Sequence, residues 1–362
     1  MSSEAEVLFE RRGEAGIIIL NRPKALNALS HHMVQLIHPK LLEWADDPQV
    51  TRVVLKAAGE RAFCAGGDIR AIYDLGRAGR ADEALAFWRE EYLLNHYIGT
   101  YPKPYVSLID GICMGGGFGL SAHGAYRVAG DRYLFAMPEV NIGLFPDVGG
   151  TYVLPRLPGA RGVYLALTGA RIKAADARAV GLATHVVPSA RFAELEAALA
   201  AGGPVDATLD AFAAAPEPAP LDAHGDLIAD AFGRPDIDAI LARLDEMAGA
   251  GGEAADFARK SADAMRAACP TSLAITMEQM RRGPTLSLGG ALATEFRVVN
   301  RVARGHDFYE GVRAIIVDKD NAPRWEPARL ADVDPEAIRA HFAPIPDDLP
   351  LSDDLPLATE LT

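Results

Sequence analysis

Two glycine-rich turns, Phe63-Cys-Ala-Gly-Gly-Asp68 and Met114-Gly-Gly-Gly-Phe-Gly119, constrain this 362-residue chain more than any other feature. Each follows an apolar, strand-like run and leads into a helical pattern. Without Cβ atoms the backbone can turn sharply there and bring its N–H groups close to a ligand. A pair of such turns on neighbouring strands can aim two N–H donors at one oxygen. That is the geometry of an oxyanion hole, where losing one donor typically costs ~10²–10³ in rate. A single turn would be explained as well by tight packing. Nucleotide-binding alternatives fail on sequence: Leu120 stands where a G-x-G-x-x-G reading from Gly115 needs its last glycine, and no Gly-Lys-Ser/Thr completes a phosphate-binding loop.

The rest of the first half has an α/β rhythm. Short apolar runs over residues 7–10, 16–20, 50–57, 104–109, 126–129, 133–136 and 183–187 predict strands, several of them bounded by Gly, Pro or Asn. Between the second and third, Ser30 is a candidate N-cap for a helix carrying Met33, Leu36, Ile37, Leu41 and Trp44 at helical spacing, despite Pro39. Helices are also expected over 159–167 and 174–180, the latter stopped by Gly181. Repeated strand–helix–strand patterns imply crossover units. Single cores rarely grow beyond ~250–300 residues, so a main domain with a helical annex is expected. The expected division is a core over 1–200, an Ala/Pro-rich linker over 201–220, a helical region over 221–343 and an acidic, proline-containing tail over 344–362, extended or disordered.

Charge and cysteine usage narrow the function classes. A formal net charge of −13 opposes non-specific nucleic-acid binding, which needs Lys and Arg to neutralise phosphates. No apolar run is long enough to span a bilayer, so neither a nucleic-acid nor a membrane partner is expected. An anionic ligand would need a local basic patch. Candidates are Arg22 with Lys24, and Arg281, Arg282 and Lys319, each equally well explained as a solvated surface cation. Three widely spaced cysteines, Cys64, Cys113 and Cys269, argue for reduced thiols rather than a disulfide framework. With an acidic N-terminal stretch that carries no export or organelle signal, they predict a cytoplasmic protein.

Beyond the second turn, Ala136-Met-Pro-Glu-Val-Asn-Ile-Gly-Leu-Phe-Pro-Asp-Val-Gly-Gly150 sets Glu139 and Asp147 among apolar residues, glycines and prolines. A carboxylate is expensive to bury, so both are acid/base candidates, although taken singly a capping or turn role explains each equally well. Gly119-Leu-Ser-Ala-His123 departs from the G-x-S-x-G nucleophile pattern, and Ser121 and His123 would not face each other on a helix. Asp318-Lys-Asp320 begins like a calcium loop but continues with Ala322 and lacks the required glycine. No metal is expected.

Four stretches in order, Asn21-Arg-Pro-Lys-Ala-Leu-Asn-Ala-Leu29, Cys64-Ala-Gly-Gly-Asp68, Gly115-Gly-Gly117 and Pro138-Glu139, resemble the crotonase superfamily, the enoyl-CoA hydratase/isomerase fold. The resemblance implies an α/β spiral of repeated ββα units with a C-terminal helical region. It also implies that the N–H groups of Gly67 and Gly116 hold a thioester carbonyl, with coenzyme A draped across the turns as part of the substrate and no separate cofactor. Hydratases of the superfamily carry a glutamate where this chain has Gly119 and usually a glycine where it has Asp147; Glu139 matches their second glutamate. That pattern resembles the 3-hydroxyisobutyryl-CoA hydrolase branch, which belongs to valine degradation. Further matches are Phe87-Trp-Arg-Glu-Glu-Tyr92, Ser107-Leu-Ile-Asp-Gly111, Arg304-Gly-His-Asp-Phe-Tyr-Glu-Gly-Val-Arg313, and Asp318-Lys-Asp320 followed by Trp325.

The branch implies thioester hydrolysis of 3-hydroxyisobutyryl-CoA, with 3-hydroxypropionyl-CoA, one methyl smaller, as the competing substrate. A thioester needs a nucleophile and a hole for its carbonyl oxygen, since by comparison with cysteine its thiol leaves with a pKa near ~8.5. Glu139 would activate a water or attack directly. Asp147 would bind the 3-hydroxyl or place the water, and Glu91 would contact the same polar end on resemblance alone, since adjacent Glu90 and Glu91 on a helix are usually a solvated face. Lys24 is the candidate cation on the substrate. The competing readings are an enoyl-CoA hydratase/isomerase working with a single glutamate and an inactive acyl-CoA-binding scaffold. Relatives in the superfamily often form trimers or hexamers, so a homo-oligomer is left open.

Overall fold

In the computed structural model, which describes residues 5–351, the strands divide into two sheets. The larger contains β1 (Val7–Arg12), β2 (Ala15–Leu20), β3 (Arg52–Ala57), β5 (Tyr105–Ile109), β7 (Tyr126–Ala129) and β10 (His185–Val186), in that spatial order. The smaller is ordered β4 (Ala62–Cys64), β6 (Ile112–Met114), β8 (Leu134–Ala136) and β9 (Ile172–Lys173). The pairs β1–β2 and β8–β9 are antiparallel and the others parallel. Each of β3/β4, β5/β6 and β7/β8 contributes its first strand to the large sheet and its second to the small one. The chain therefore advances as a spiral of ββα units, the α/β arrangement that the resemblance implied. The strands β4 and β6 escape sequence reading because three residues beside a glycine turn carry no period-two signal.

The strand β2 is apolar along its whole length because both its faces are covered. Ile18 and Leu20 enter the main core, whereas Ala15, Ile17 and Ile19 enter a second one. That second core is closed by the helices Phe192–Ala200 and Val205–Phe212, which contribute Leu195, Leu199, Val205 and Leu209. The expected linker over 201–220 is thereby corrected in part: Val205–Phe212 within it is a helix that covers an apolar sheet face, while residues 201–204 and the Ala/Pro-rich stretch 213–219 lie outside helices and strands. Fully burying one leucine such as Leu209 stabilises by roughly 1.5–3 kcal/mol, enough to seat a short helix.

The helix His31–Asp46 starts where Ser30 Oγ accepts the Met33 N–H, and it contains Pro39. The C-terminal helices share the main core rather than forming their own. Leu288–Val302 packs on Ala81–Gly99, and one apolar cluster runs from Val7 to Leu349. Residues 344–351 of the expected tail form no helix or strand, yet they are seated on the core: Leu349 is buried, and Asp347 and Asp348 are held by Arg89 and Arg297. Opposite charge ties the tail down. Residues 352–362 of the expected tail lie outside the described residues. Among the described residues no helix is long and apolar enough to cross a membrane.

Candidate active site

The small sheet assembles the site. Its neighbours β4, β6 and β8 are parallel, with Cys64 opposite Cys113 and Cys113 opposite Phe135. Their carboxyl ends run into the Gly67 turn, the Gly116 turn and Glu139. Ligands commonly gather at the carboxyl ends of parallel strands. Leu29 N–H donates to Gly66 O and Asp68 N–H to Leu29 O, which directs the N–H of Gly67 to the opposite side of its segment. Gly116 opens the helix Gly116–Ala122, so its N–H has no carbonyl one turn back. A Cβ on Gly116 would lie 3.3 Å from Gly67 N, so the two donors sit side by side. The left-handed φ values of Gly66 (+119°) and Gly115 (+43°) explain why glycine precedes each donor. The Asn21–Leu29 stretch braces the first turn. Asn27 donates to the carbonyls of Ala58 and Ala62, and Arg22 binds Asp68, which caps the next helix.

These turns line a cavity of about 560 Å³ shared with Glu91, Glu139 and Asp147. On the helix Ala81–Gly99, Glu90 is partly exposed and pairs with His31, while Glu91 is only 2% exposed. One residue, or about 100° of helix rotation, separates a solvated charge from a buried one. Glu91 Oε1 and Glu139 Oε2 are buried with no hydrogen-bond partner, whereas Asp147 accepts from the Tyr92 hydroxyl at 2.8 Å and from the Trp88 indole. Burial, then the charge of Asp147, pushes Glu91 and Glu139 well above the ordinary carboxylate range. Burial also raises Asp147 to about 6, with the Tyr92 hydroxyl pulling the other way. A fourth buried acid, Glu295, is raised to about 8, first by burial. Carboxyls this close in a low-dielectric site cannot all ionise, so the cluster holds protons at neutral pH.

Asp147 sits at the start of a strained turn. Val148 has φ +50° and Gly149 φ +89°. A β-branched residue held in the left-handed region costs on the order of 1–3 kcal/mol and persists only where its surroundings over-determine it. Here the carbonyl of Val148 accepts from His123 Nε2 at 2.7 Å. Burial lowers His123 to about 4, leaving it a neutral donor. Gln279 Nε2 donates to Pro146 O and Thr151 Oγ1, and Glu295 receives the N–H groups of Gly149 and Thr151, each at 2.8 Å. The same turn closes the space at Gly119. A Cβ there would lie 2.8 Å from Val148 Cβ and 2.9–3.0 Å from the Asn95 carboxamide. A side chain at 119 has no room.

Several sequence candidates fall elsewhere. Lys24 lies exposed on the turn Pro23–Ala25, outside the cavity lining. Arg22 is engaged by Glu6 and Asp68, and Arg281 and Arg282 pair with Glu278 away from the cavity. Asp318 and Asp320 bind Arg313 at 2.8 and 2.6 Å, which accounts for the acidic pattern read as a failed calcium loop. Among the described residues no group of His, Cys, Asp and Glu is arranged to hold a metal ion. The cation on the cavity wall is Arg171, an exposed residue beside β9 with no signal in the sequence. Glu295 was missed too, although a signal existed: it interrupts a helix whose neighbours Ala291, Leu292, Val298 and Val299 are all buried and apolar.

The enoyl-CoA hydratase/isomerase family model matches residues 15–342. Two curated relatives, the mitochondrial 3-hydroxyisobutyryl-CoA hydrolases of Danio rerio and Homo sapiens, are 46% and 44% identical. The alignments cover 95% and 93% of this chain and 91% and 88% of those proteins. A solved structure described as a carnitinyl-CoA dehydratase from Mycobacterium thermoresistibile superposes with a TM-score of 0.89 at 43% identity, covering 96% of this chain and 98% of that one. Another, described as an enoyl-CoA hydratase from Rhodobacter sphaeroides 2.4.1, gives 0.87 at 41%, covering 95% and 99%. The names of the curated relatives place them in mitochondria, which overturns the cytoplasmic expectation. Three buried free thiols are compatible with any reducing compartment and do not choose among them. Because the family match runs through both the spiral and the C-terminal helices that share its core, the chain belongs to the enoyl-CoA hydratase/isomerase family.

Proposed function

We propose that this chain hydrolyses the thioester of 3-hydroxyisobutyryl-CoA to the free hydroxy acid and coenzyme A, the valine-degradation reaction its resemblance implied. The observation that carries the reading is the exchange of acids in the cavity. Position 119 is closed by Val148 and Asn95, so a second glutamate cannot stand there, while Asp147 is held inside beside Glu139. The names of the curated relatives support the same reaction. Two similar solved structures are described as a dehydratase and a hydratase, but adding water across a double bond asks for an acid and a base flanking it, and this site has one glutamate where that pair would be.

The acyl oxygen accepts from the N–H groups of Gly67 and Gly116, which stabilise the negative charge that develops as the carbonyl carbon becomes tetrahedral. Glu139 then has two routes. As general base it takes a proton from water while the water oxygen bonds to the carbonyl carbon. As nucleophile its own oxygen forms that bond, giving an anhydride that water opens. In either route the C–S bond breaks when the tetrahedral species collapses, and the sulfur leaves as a thiolate that is protonated by solvent. The raised pKa of Glu139 makes it a stronger base once ionised. Asp147, fixed by Tyr92 and Trp88, is placed to receive the 3-hydroxyl, and Glu91 borders the same space. Arg171 stands on the cavity wall as a charge for an anionic substrate. Single turnover in ¹⁸O-water separates the routes: label in Glu139 marks the anhydride.

Thiol trapping tests the reaction itself, because hydrolysis frees the thiol and hydration or isomerisation does not. Release from 3-hydroxyisobutyryl-CoA is expected; turnover of crotonyl-CoA with no thiol release would overturn the reading. The nearest competitor, 3-hydroxypropionyl-CoA, lacks one methyl, worth ~1–3 kcal/mol or about 10–200-fold at most. Measured kcat/KM values for the two thioesters decide the preference.

A further inference from the structure

The Asp147 turn is held from the far end of the chain. Glu295, on the helix Leu288–Val302, is fully buried and 146 residues beyond Gly149, yet its Oε2 accepts the Gly149 N–H and its Oε1 the Thr151 N–H, both at 2.8 Å. A left-handed residue next to a right-handed one turns neighbouring N–H groups to one side and forms a concavity suited to an anion. Gly149, left-handed at φ +89°, and Gly150, which opens the helix Gly150–Val153, are such a pair, and the carboxyl of Glu295 fills the place of the anion. The next residue, Phe296, meets the ring of Tyr92 edge-to-face at 6.4 Å, and Tyr92 is the donor to Asp147 Oδ2. Two adjacent residues of one helix thus support both the turn that carries Asp147 and the hydroxyl that orients its carboxylate.

We infer that Glu295 is a positioning residue for recognition of the acyl hydroxyl: by seating the N–H groups of Gly149 and Thr151 it keeps the left-handed turn that aims Asp147 at the substrate. The inference rests on the reading that Asp147 receives the 3-hydroxyl. Groups facing Asp147 come from each element around it: Glu91 and Tyr92 from Ala81–Gly99, Glu139 from the turn after β8, and Glu295 itself. An amide at 295 can accept only one of the two N–H bonds and sets its NH₂ against the other donor. The turn would then relax away from the strained geometry at Val148, and Asp147 would lose its aim without any change to Glu139 or the glycine donors.

The test compares kcat/KM for 3-hydroxyisobutyryl-CoA with that for isobutyryl-CoA, identical but for the hydroxyl, in wild type, Glu295→Gln and Asp147→Asn. Glu295→Gln is expected to lose about tenfold or more on the hydroxylated thioester and little on isobutyryl-CoA, so that discrimination collapses as it does in Asp147→Asn. Wild-type discrimination in Glu295→Gln, or an equal loss on both thioesters, would overturn the inference, the latter by showing a general structural role. If Asp147→Asn retains discrimination, it is the hydroxyl-binding reading that fails, and the inference with it. Should Glu295→Gln not fold, Glu295→Asp carries the same comparison, since the shorter side chain keeps a carboxyl but cannot reach both N–H groups; full discrimination there would equally overturn the inference.

Discussion

Adding one methyl group at Gly116 tests the oxyanion hole directly. The φ of Gly116 is not left-handed, and it opens a helix, so Gly116→Ala is tolerated by the backbone and gains at most ~1 kcal/mol of helix propensity. Space is the difficulty. The new Cβ would lie 2.8 Å from Glu91 Oε1, 3.2 Å from Leu29 Cδ2 and 3.3 Å from Gly67 N. Comfortable contacts to carbon begin near ~3.5 Å, so the carboxyl must retreat by roughly half an ångström or more and the Gly67 backbone by a few tenths. The latter movement matters most, because Gly67 N is one of the two donors and hydrogen bonds of this kind work at about 2.7–3.1 Å. The expected result is a fall in kcat of ~10²–10³, equivalent to about 2.7–4 kcal/mol, with a melting temperature within a few degrees of wild type. Thiol release under saturating 3-hydroxyisobutyryl-CoA and a thermal melt provide the two readouts. A kcat within threefold of wild type would refute the placement of the acyl oxygen between these turns; a collapse in melting temperature would show that the methyl acts on the fold.

Other outcomes follow from the same geometry. Glu139→Gln is expected to abolish thiol release while calorimetric binding of coenzyme A persists, and retained turnover would remove Glu139 from the chemistry. Gly119→Glu should not confer hydration of crotonyl-CoA: overpacking against Val148 and Asn95 costs ~1–3 kcal/mol before the added carboxyl is counted, so the melt should drop. Stability should fall as pH rises, because the folded chain holds protons that the unfolded chain releases. Asp147 titrates at about 6 against 3.8, so its contribution is full below about pH 4 and is lost as pH rises through about 6. Asp147→Asn should therefore melt higher than wild type at pH 8 and not at pH 4, by at most ~3 kcal/mol. Arg171→Ala should raise KM about threefold to tenfold with kcat unchanged, and added salt should narrow the difference.

The chain itself, read locally, determined a good deal. Strand positions in the large sheet followed from short apolar runs, the Ser30 cap from its side chain, and both glycine turns from the absence of Cβ atoms, since each of these is a property of a few adjacent residues. Glu139 and Asp147 were visible because a carboxylate among apolar residues, glycines and prolines needs a reason. What only the tertiary structure decided depends on contacts between distant segments. The short strands β4 and β6 exist through pairing with each other and with β8, and that pairing sets Gly67, Gly116 and Glu139 together. Glu91 rather than Glu90 is buried because a helix turns about 100° per residue and only packing fixes its phase. Arg171 reaches the cavity wall because β9 pairs with β8, and Val205–Phe212 is a helix because a sheet face required cover. Burial and hydrogen-bond partners belong to the folded whole. That is why Glu295, across 146 residues from Gly149, came into the account only when the two were seen 2.8 Å apart.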